Sequence, residues 1–544
     1  MMKIEKPYES KLIHISIVAL SALLLYLNAL SNGFSVDDFQ FVVNNPAVHS
    51  FSWQNLKALF TSVPNRMEYL PVKDLTYILD LTLSGMSPFA LHFSNVFWYM
   101  LACIAFFLFL TRLLDRLKIN APLLPLVAAL IFVVHPMHTA SVASICQRKD
   151  LVSALLIFAA MTSYLNFRIS GRKLYYLAAF LLFIMALLAK ATVMTVPLFI
   201  LALDLLYTDE RGTTAVKHLL PVIPFFIGVA IFIKIEHSFL LQTGVISQLY
   251  SSTVPLQIRS ATAVQAFFYY LKLLVWPYPL LMIHDFSFAK KVYTPVNILC
   301  GTGLITLSAV IWWLRQRAPL VTIGAIWLMA TLLPVVGLIP SNTLIAERYL
   351  FLPLAGYALI LAACWQALSE RNLLTKRLAI LTLVFLLAAF STLTIKRNPD
   401  WRDNLTLLIA NARDLPGKAG VYYQIGNEYF ALGEFGNALD YLGRAKAMNP
   451  LYRVHYAVHT AAMAYQSGNL QQAKADLDGI DHPFKMQFVE VNYLYGKLRQ
   501  SAGDLENAAI YYRNASKATI PVGLVKPADI AEALKSIDEA KKGK

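Results

Sequence analysis

Residues 378–400 read LAILTLVFLLAAFSTLTIKRNPD. An unbroken apolar run ends at Lys396, and the chain changes character there. A bilayer core of about 30 Å is crossed by about 20 apolar residues in a helix, and 378–395 supplies them. Upstream, residues 12–395 repeat the pattern, apolar runs separated by short polar links. Downstream, residues 396–544 have the mixed composition of a soluble domain. The upstream region dominates the bulk numbers. The 544 residues are 57% apolar and 15% charged, with mean hydropathy +0.55, where soluble chains carry about a quarter charged residues.

Spans are expected near 12–31, 92–111, 121–140, 151–167, 174–190, 192–207, 218–235, 294–314, 319–339, 349–368 and 378–395. The first follows Lys3, Lys6 and Lys11. It is longer than a signal-peptide core and lacks a good cleavage site, so it reads as an uncleaved span. The net charge of +15 points to bilayer orientation and not to nucleic acid, because basic residues cluster in alternate links. These are Arg112, Arg116 and Lys118; Arg168, Arg172 and Lys173; Arg211 and Lys217; Arg315 and Arg317; Arg371, Lys376 and Arg377. They define an inner side, against which Lys290, Lys291 and Lys396 are exceptions. TAVQAFFYYLKLLVWP, 262–277, is apolar enough to span, but spanning would invert every later cluster. It therefore reads as an interfacial or re-entrant helix. Eleven spans then put the carboxy-terminal domain outside. The long outer link 32–91 offers Phe34, Trp53, Leu56 and Leu59 for a helix lying on the membrane. Cys103, Cys146, Cys300 and Cys364 have neither disulfide nor metal spacing and read as small apolar-phase residues.

The tail carries an internal period. Gly433, Gly468 and Gly503 lie 35 apart, as do Ala438, Ala473 and Ala508, and Gly426, Ala461 and Gly496 keep the same step. With Tyr422, Ile425, Tyr429, Ala445 and Pro450 in the first unit, this is the tetratricopeptide pattern, whose usual period is 34. Small residues at fixed positions let paired helices approach closely, and about three repeats are needed to bury the apolar faces. Residues 396–418 read as a linker, 419–544 as the repeat domain, and 527–540 as its capping helix. The fold class is all-α: a polytopic helical membrane domain followed by a tetratricopeptide-repeat α-solenoid.

Charges in or beside spans are costly, about 2.5–3.5 kcal/mol at a helix centre, and invite a functional reading. Several fall at the outer face. Asp37-Asp38, in FSVDDFQFVVNNP (34–46), can share one raised pKa, leaving one carboxylate as general base toward a hydroxyl; the plain alternative is a solvated turn. His135 and His138, in HPMHTASVASICQRKDLVSALL (135–156), are ligand or helix-cap candidates, and Arg148 and Lys149 with Asp150 come later in the same loop. Arg148 and Lys149 suit a phosphate. Glu347-Arg348, in SNTLIAERYLFLP (341–353), places a planar guanidinium where it can grip phosphate; the plain alternative is a buried ion pair. Lys190, in LLAKATVMTVP (187–197), can neutralise an anion or snorkel, and Asp204 reads as structural. Two adjacent carboxylates do not by themselves make a metal site, so metal dependence stays open. There is no P-loop and no G-x-G-x-x-G.

These stretches, with YLPVKDLTYILDLTLSG (69–85), occur in a familiar order. Taken with the tail, the chain resembles the transmembrane and tetratricopeptide-repeat proteins of the GT-C glycosyltransferase superfamily. The resemblance covers nearly the whole chain. It implies a GT-C membrane domain over 1–395 and a mannosyl or other hexosyl transfer from a polyprenyl-phosphate carrier. It also implies that Asp37-Asp38 match the acidic pair of the first outer loop, Arg148 and Asp150 the positions after HP-x-H-T, and Glu347-Arg348 the late E-R. The chain departs from the pattern at Ala140 and Ala191, where acids are usual, and at Tyr69-Leu70-Pro71-Val72, where Y-R-P-L is frequent.

The expected activity is inverting transfer of a sugar from a polyprenyl phosphate to Ser or Thr of exported proteins, which the repeat groove gathers. The donor phosphate is assigned to Arg148, Lys149 and Arg348, with His135, His138, Asp150, Lys190 and Glu347 in support. The membrane is a bacterial inner membrane with the repeats in the periplasm, or the endoplasmic reticulum with the repeats in the lumen. The rival readings are a membrane-anchored scaffold and a transporter of a lipid-linked sugar.

Overall fold

The computed structural model describes residues 7–65, 67–207, 219–243, 254–339 and 343–542; Arg211 and Lys217 lie outside them. Among the described residues the chain is helical without a β-strand. It divides into two compact units, Met1–Asp403 and Asn404–Lys544.

In the first unit the helices are α1 (Pro7–Leu25), α2 (Trp53–Thr61), α3 (Pro71–Ser84), α4 (Pro88–Leu117), α5 (Leu124–Val134), α6 (Thr139–Val142), α7 (Arg148–Ser170), α8 (Lys173–Ala189) and α9 (Val196–Leu206). They continue as α10 (Ile223–Thr243), α11 (Leu256–Val275), α12 (Pro295–Leu314), α13 (Pro319–Leu332), α14 (Pro353–Ser369) and α15 (Leu373–Arg397). Six stretches are long and apolar enough to cross a membrane: Lys11–Ala29, Pro88–Leu117, Ile145–Ser170, Ile223–Thr243, Pro295–Leu314 and Leu373–Trp401. A seventh is α5 continued by 136–142, bent by 55°. The bend falls at His135-Pro136, where the residue before proline is pushed to extended backbone (His135 ψ 125°). Four shorter apolar helices, Lys173–Ala189, Ala191–Leu206, Pro319–Val335 and Pro353–Ser369, fill the remaining expected runs. The protein is a multi-pass membrane protein.

Hydrogen bonds between helix ends show which ends share a face. Asn28 Nδ2 donates to the Ile395 carbonyl at 2.8 Å and Thr394 Oγ1 to that of Val134 at 2.9 Å. Asn95 Nδ2 donates to Ser144 O at 2.9 Å. The carboxyl ends of α1, α5 and α15 therefore meet, as do the amino ends of α4 and α7, and His92 of α4, with Nε2 3.1 Å from Gly33 O after α1, joins the two groups. At the other face Tyr207, after α9, donates to Arg315 O, after α12, at 2.9 Å, and Arg168 of α7 lies 3.3 Å from Asp204 of α9. The described basic clusters of the inner links all fall at this second face. The segment 262–277 lies almost wholly within α11. Arg259 near the start of this helix donates to Leu338 O at 2.9 Å, and Leu274 O near its end lies 3.0 Å from His135 Nε2. Leu338 follows α13 and His135 follows α5, so both anchors belong to the first face. The helix runs along that face without crossing to the other.

The 32–91 link has a small core of its own. Tyr77, Ile78 and Leu81 of α3 pack with Leu59 of α2 and with Phe41 and Val42. Leu56 and Phe34 turn toward this core, while Trp53 is left 79% exposed.

In the second unit the helices are α16 (Asn404–Asp414), α17 (Ala419–Ala431), α18 (Phe435–Met448), α19 (Tyr452–Gln466), α20 (Leu470–Asp478), α21 (Val489–Ser501), α22 (Leu505–Lys517) and α23 (Pro527–Lys542). Helices α17 to α22 form three antiparallel pairs. Each pair turns on a glycine with positive φ, 77° at Gly433, 81° at Gly468 and 79° at Gly503, a conformation costly for other residues. The other glycine series sets packing: a Cβ on Gly496 would sit 2.6 Å from the Tyr512 ring. Residues 396–418 differ from the expected linker. Residues up to Asp403 go with the first unit, while α16 buries Leu407, Leu408 and Ala410 and packs on the first repeat.

Candidate active site

The first face of the membrane unit opens into a cleft of about 690 Å³. Three segments distant in sequence wall it: Val36-Asp37 after α1, residues 282–290 between α11 and α12, and residues 343–348 before α14. Its charged groups are Asp37, Lys290 and Arg348, with His284 beside them. Asp37 and Arg348, assigned from sequence to base and phosphate ligand, thus line one cavity. The Arg348 guanidinium makes no hydrogen bond or ion pair among the described residues; the Tyr349 ring centroid lies 5.5 Å from it. Val36, immediately before Asp37, holds a φ of 43°. This is uncommon for a β-branched residue and is a strained conformation of the kind found at functional sites.

Asp38 faces the other way. It is fully buried, and its carboxylate accepts from Ser35 N at 2.9 Å and Cys146 N at 2.7 Å. Burial pushes its pKa up to about 6, and those two amides pull against the rise. Cys146 lies in the loop before α7, and other side chains grip the same loop. Tyr77 donates to Ile145 O at 2.7 Å, and Asn95 to Ser144 O. Arg148 completes this network. It is fully buried, with Nε on Asn95 at 2.7 Å, one amino group on Leu91 O at 3.1 Å and the other on Asp80 at 2.5 Å. Its plane lies 4.5 Å from the Tyr77 ring centroid. Its donors are taken, and it does not line the cleft.

The other sequence candidates are also paired. Lys149 and Lys73 hold Glu68 at 2.7 and 2.6 Å. Burial opposes ionisation of Glu68, but the two ammonium groups bring its pKa down to about 2. Lys190 bonds to Asp150, which also accepts from Ser141 at 3.1 Å. His135 spans Leu274 O at 3.0 Å and Met137 N at 3.3 Å, tying α11 to the α5 bend. His138 Nδ1 meets the Tyr99 hydroxyl at 2.9 Å. Both histidines are buried. Tyr164 and Arg168 partner Asp204.

Glu347 sits behind the cleft wall, buried, accepting from Leu281 N. Burial raises its pKa to about 7, and the nearby Arg397 charge moderates the rise. His284 Nε2 lies 3.8 Å from Glu347 Oε1. Burial lowers His284 to about 4, with the Arg397 and Lys272 charges adding to the effect. His284 was missed from sequence, as were Asn95, Tyr77, Asp80 and Glu68. The i, i+3 step of Tyr77 and Asp80 on one helix face was the available signal for those two. Among the described residues no group of three or more His, Cys, Asp or Glu is placed to hold a metal.

No family model matches this sequence. Individual proteins do. Protein O-mannosyl-transferase F38B6.6 of Caenorhabditis elegans is 25% identical over 448 residues, covering 76% of this chain and 59% of that protein. Protein O-mannosyl-transferase TMTC3 of Homo sapiens is 23% identical over 78% of this chain and 50% of its own length. Human protein O-mannosyl-transferase TMTC1 is 25% identical over 76% of this chain and 52% of its own length. The chain is thus related to the TMTC-type protein O-mannosyl-transferases, and it spans little more than half the length of these relatives.

Proposed function

We propose that the protein transfers a hexose, mannose in the first instance, from a polyprenyl-phosphate carrier to a hydroxyl group of a protein, on the non-cytoplasmic side of its membrane. The observation that carries this reading is the convergence of Asp37 and Arg348, far apart in sequence, on one open cleft. The relatives' names support the reaction class. Crowding of basic residues at the opposite helix ends supports the side.

Asp37 is the general base. It takes the proton of the acceptor hydroxyl as that oxygen bonds to the anomeric carbon. The bond from that carbon to the phosphate oxygen breaks, and the phosphate leaves with its electron pair on the polyprenyl carrier. One displacement inverts the anomeric centre. Arg348 and Lys290 hold the phosphate and stabilise the charge that grows on it. Asp38 and Arg148 are positioning residues, fixing the loop before α7 and the base of Asp37's turn. Lys149 belongs to the Glu68 cluster and acts through it.

The test is the purified protein in nanodiscs, supplied with polyprenyl-phosphate mannose or glucose and Ser/Thr peptides. Transfer is expected with one of these donors and is lost in Asp37→Asn. Undiminished transfer by Asp37→Asn removes the assignment.

A further inference from the structure

The repeat unit contains a feature that its period did not announce. Between α22 and α23 the chain runs through residues 518–526, ATIPVGLVK. A short connection would suffice there, yet this segment crosses the first helices of all three repeats. It forms the isolated parallel bridge of Phe488 with Ile520: Val489 N donates to Ile520 O and Ile520 N to Gln487 O, each at 3.0 Å. Three successive amides, of Val522, Gly523 and Leu524, donate to the Glu490 carboxylate at 2.7, 2.8 and 3.1 Å. Tyr423 of the first repeat donates to Val522 O. Val522 is buried in the cluster that holds Val454 and Val458 of the second repeat. Beside Leu524 and Val525 a cavity of about 220 Å³ remains, walled by Phe430, Tyr465 and Tyr493.

This is how a groove binds an extended peptide: main-chain hydrogen bonds give affinity and pockets take alternate side chains. Glu490 is fully buried, and amides of this one segment satisfy its carboxylate. A carboxylate at that place suits a ligand that presents consecutive backbone N–H groups. Gly523, at φ 99°, lets three in a row turn toward it.

We propose that residues 519–525 are a tethered ligand of the repeat groove, and that the groove's partner is an extended peptide of small apolar residues that docks by displacing them. Recruitment through the repeats then requires opening of this segment. The inference does not depend on the transfer reaction, and a failed glycosylation assay would leave it standing.

The probe is a fluorescent synthetic peptide of sequence ATIPVGLVK, titrated onto the full-length protein in nanodiscs. A tethered competitor lowers apparent affinity by the fraction of grooves that are open. Val522→Ser/Leu524→Ser, which loosens the tether, is expected to bind the peptide at least about tenfold more tightly than the unaltered chain. Adding Glu490→Gln to that variant is expected to abolish the gain. Equal binding by the variant and the unaltered chain, or no binding by either, overturns the proposal. A measurement on the unaltered protein guards against a misfolded variant. In hydrogen exchange, the amides of 522–524 are expected to open while Val489–Ser501 stays protected, and faster when peptide is added. Exchange of both only together would make the segment an ordinary part of the folded array, and the proposal would fail.

Discussion

Arg148 and Arg348 lie on the same face of the membrane unit in opposite circumstances. Arg148 is sealed among Asp80, Asn95, Leu91 O and the Tyr77 ring. Arg348 lines the cleft, its guanidinium without a hydrogen bond or ion pair among the described residues. The neighbouring aspartates divide in the same way, Asp38 bound to two amides and Asp37 open. A buried charge with all partners in place fixes backbone; a charge left without partners is available to a substrate. A motif of charged residues can thus contain both kinds one position apart.

The largest test of this contrast removes each arginine. Arg148→Met should lose about 3–5 kcal/mol of stability, because half-buried Asp80 loses its charge partner and the buried Asn95 and Leu91 oxygens lose their donor, and thermal melting in nanodiscs would record it. Arg348→Met should melt like the parent but lose about 10²–10³-fold in turnover. A melting loss for Arg348 equal to that for Arg148 would erase the distinction. The aspartates sharpen it. Asp37→Asn is expected to cost about 10²–10⁴-fold in rate without destabilisation, the usual contribution of a general base.

A pH experiment separates Asp38 from the cleft. Its folded pKa, about 6, lies above the ordinary 3.8. Between those values the folded state therefore holds more protons than the unfolded one, and stability falls as pH rises through this window. The Asp38 share is about 2–3 kcal/mol from pH 4 to pH 6, at roughly 1.4 kcal/mol per unit. In Asp38→Asn the melting curves should lose that share of their pH dependence. An unchanged slope would mean that Asp38 is not the buried acid described here. The smallest effect lies in the repeats. Gly496→Ala pushes a methyl against Tyr512 and should cost about 1–3 kcal/mol. Gly436→Ala, whose added Cβ meets nothing within 4 Å, should cost nothing measurable. Melting of the tail, followed separately, checks both.

The chain is most legible from its sequence where the signal is local. The eleven apolar runs are short-range patterns, the 35-residue step of the tail is a regular repeat, and 262–277 was placed by the alternation of basic links along the chain and not by its own hydropathy. The linker expected at 396–418 is instead helical from Asn404. Helix α16 is short and polar on one side, and only its contact with the first repeat shows that it is structured. Of the charged candidates, sequence put Asp37 level with Asp38 as the base and Arg348 level with Arg148 and Lys149 as phosphate ligands, and had no means of choosing within either group. Burial and partner choice depend on Asp80, Asn95, Glu68 and Ser141, which lie up to 80 residues or so from the groups they satisfy.

By itself, then, the sequence determined a bilayer-crossing helical unit and a repeat array, because hydropathy and helical periodicity are properties of neighbouring residues. Tertiary structure alone decided which charges stay open, that His284 and Lys290 join the cleft, and that residues 519–525 lie against the first helices of the repeats. Those outcomes are set by which remote groups reach hydrogen-bonding distance, and no local pattern encodes that.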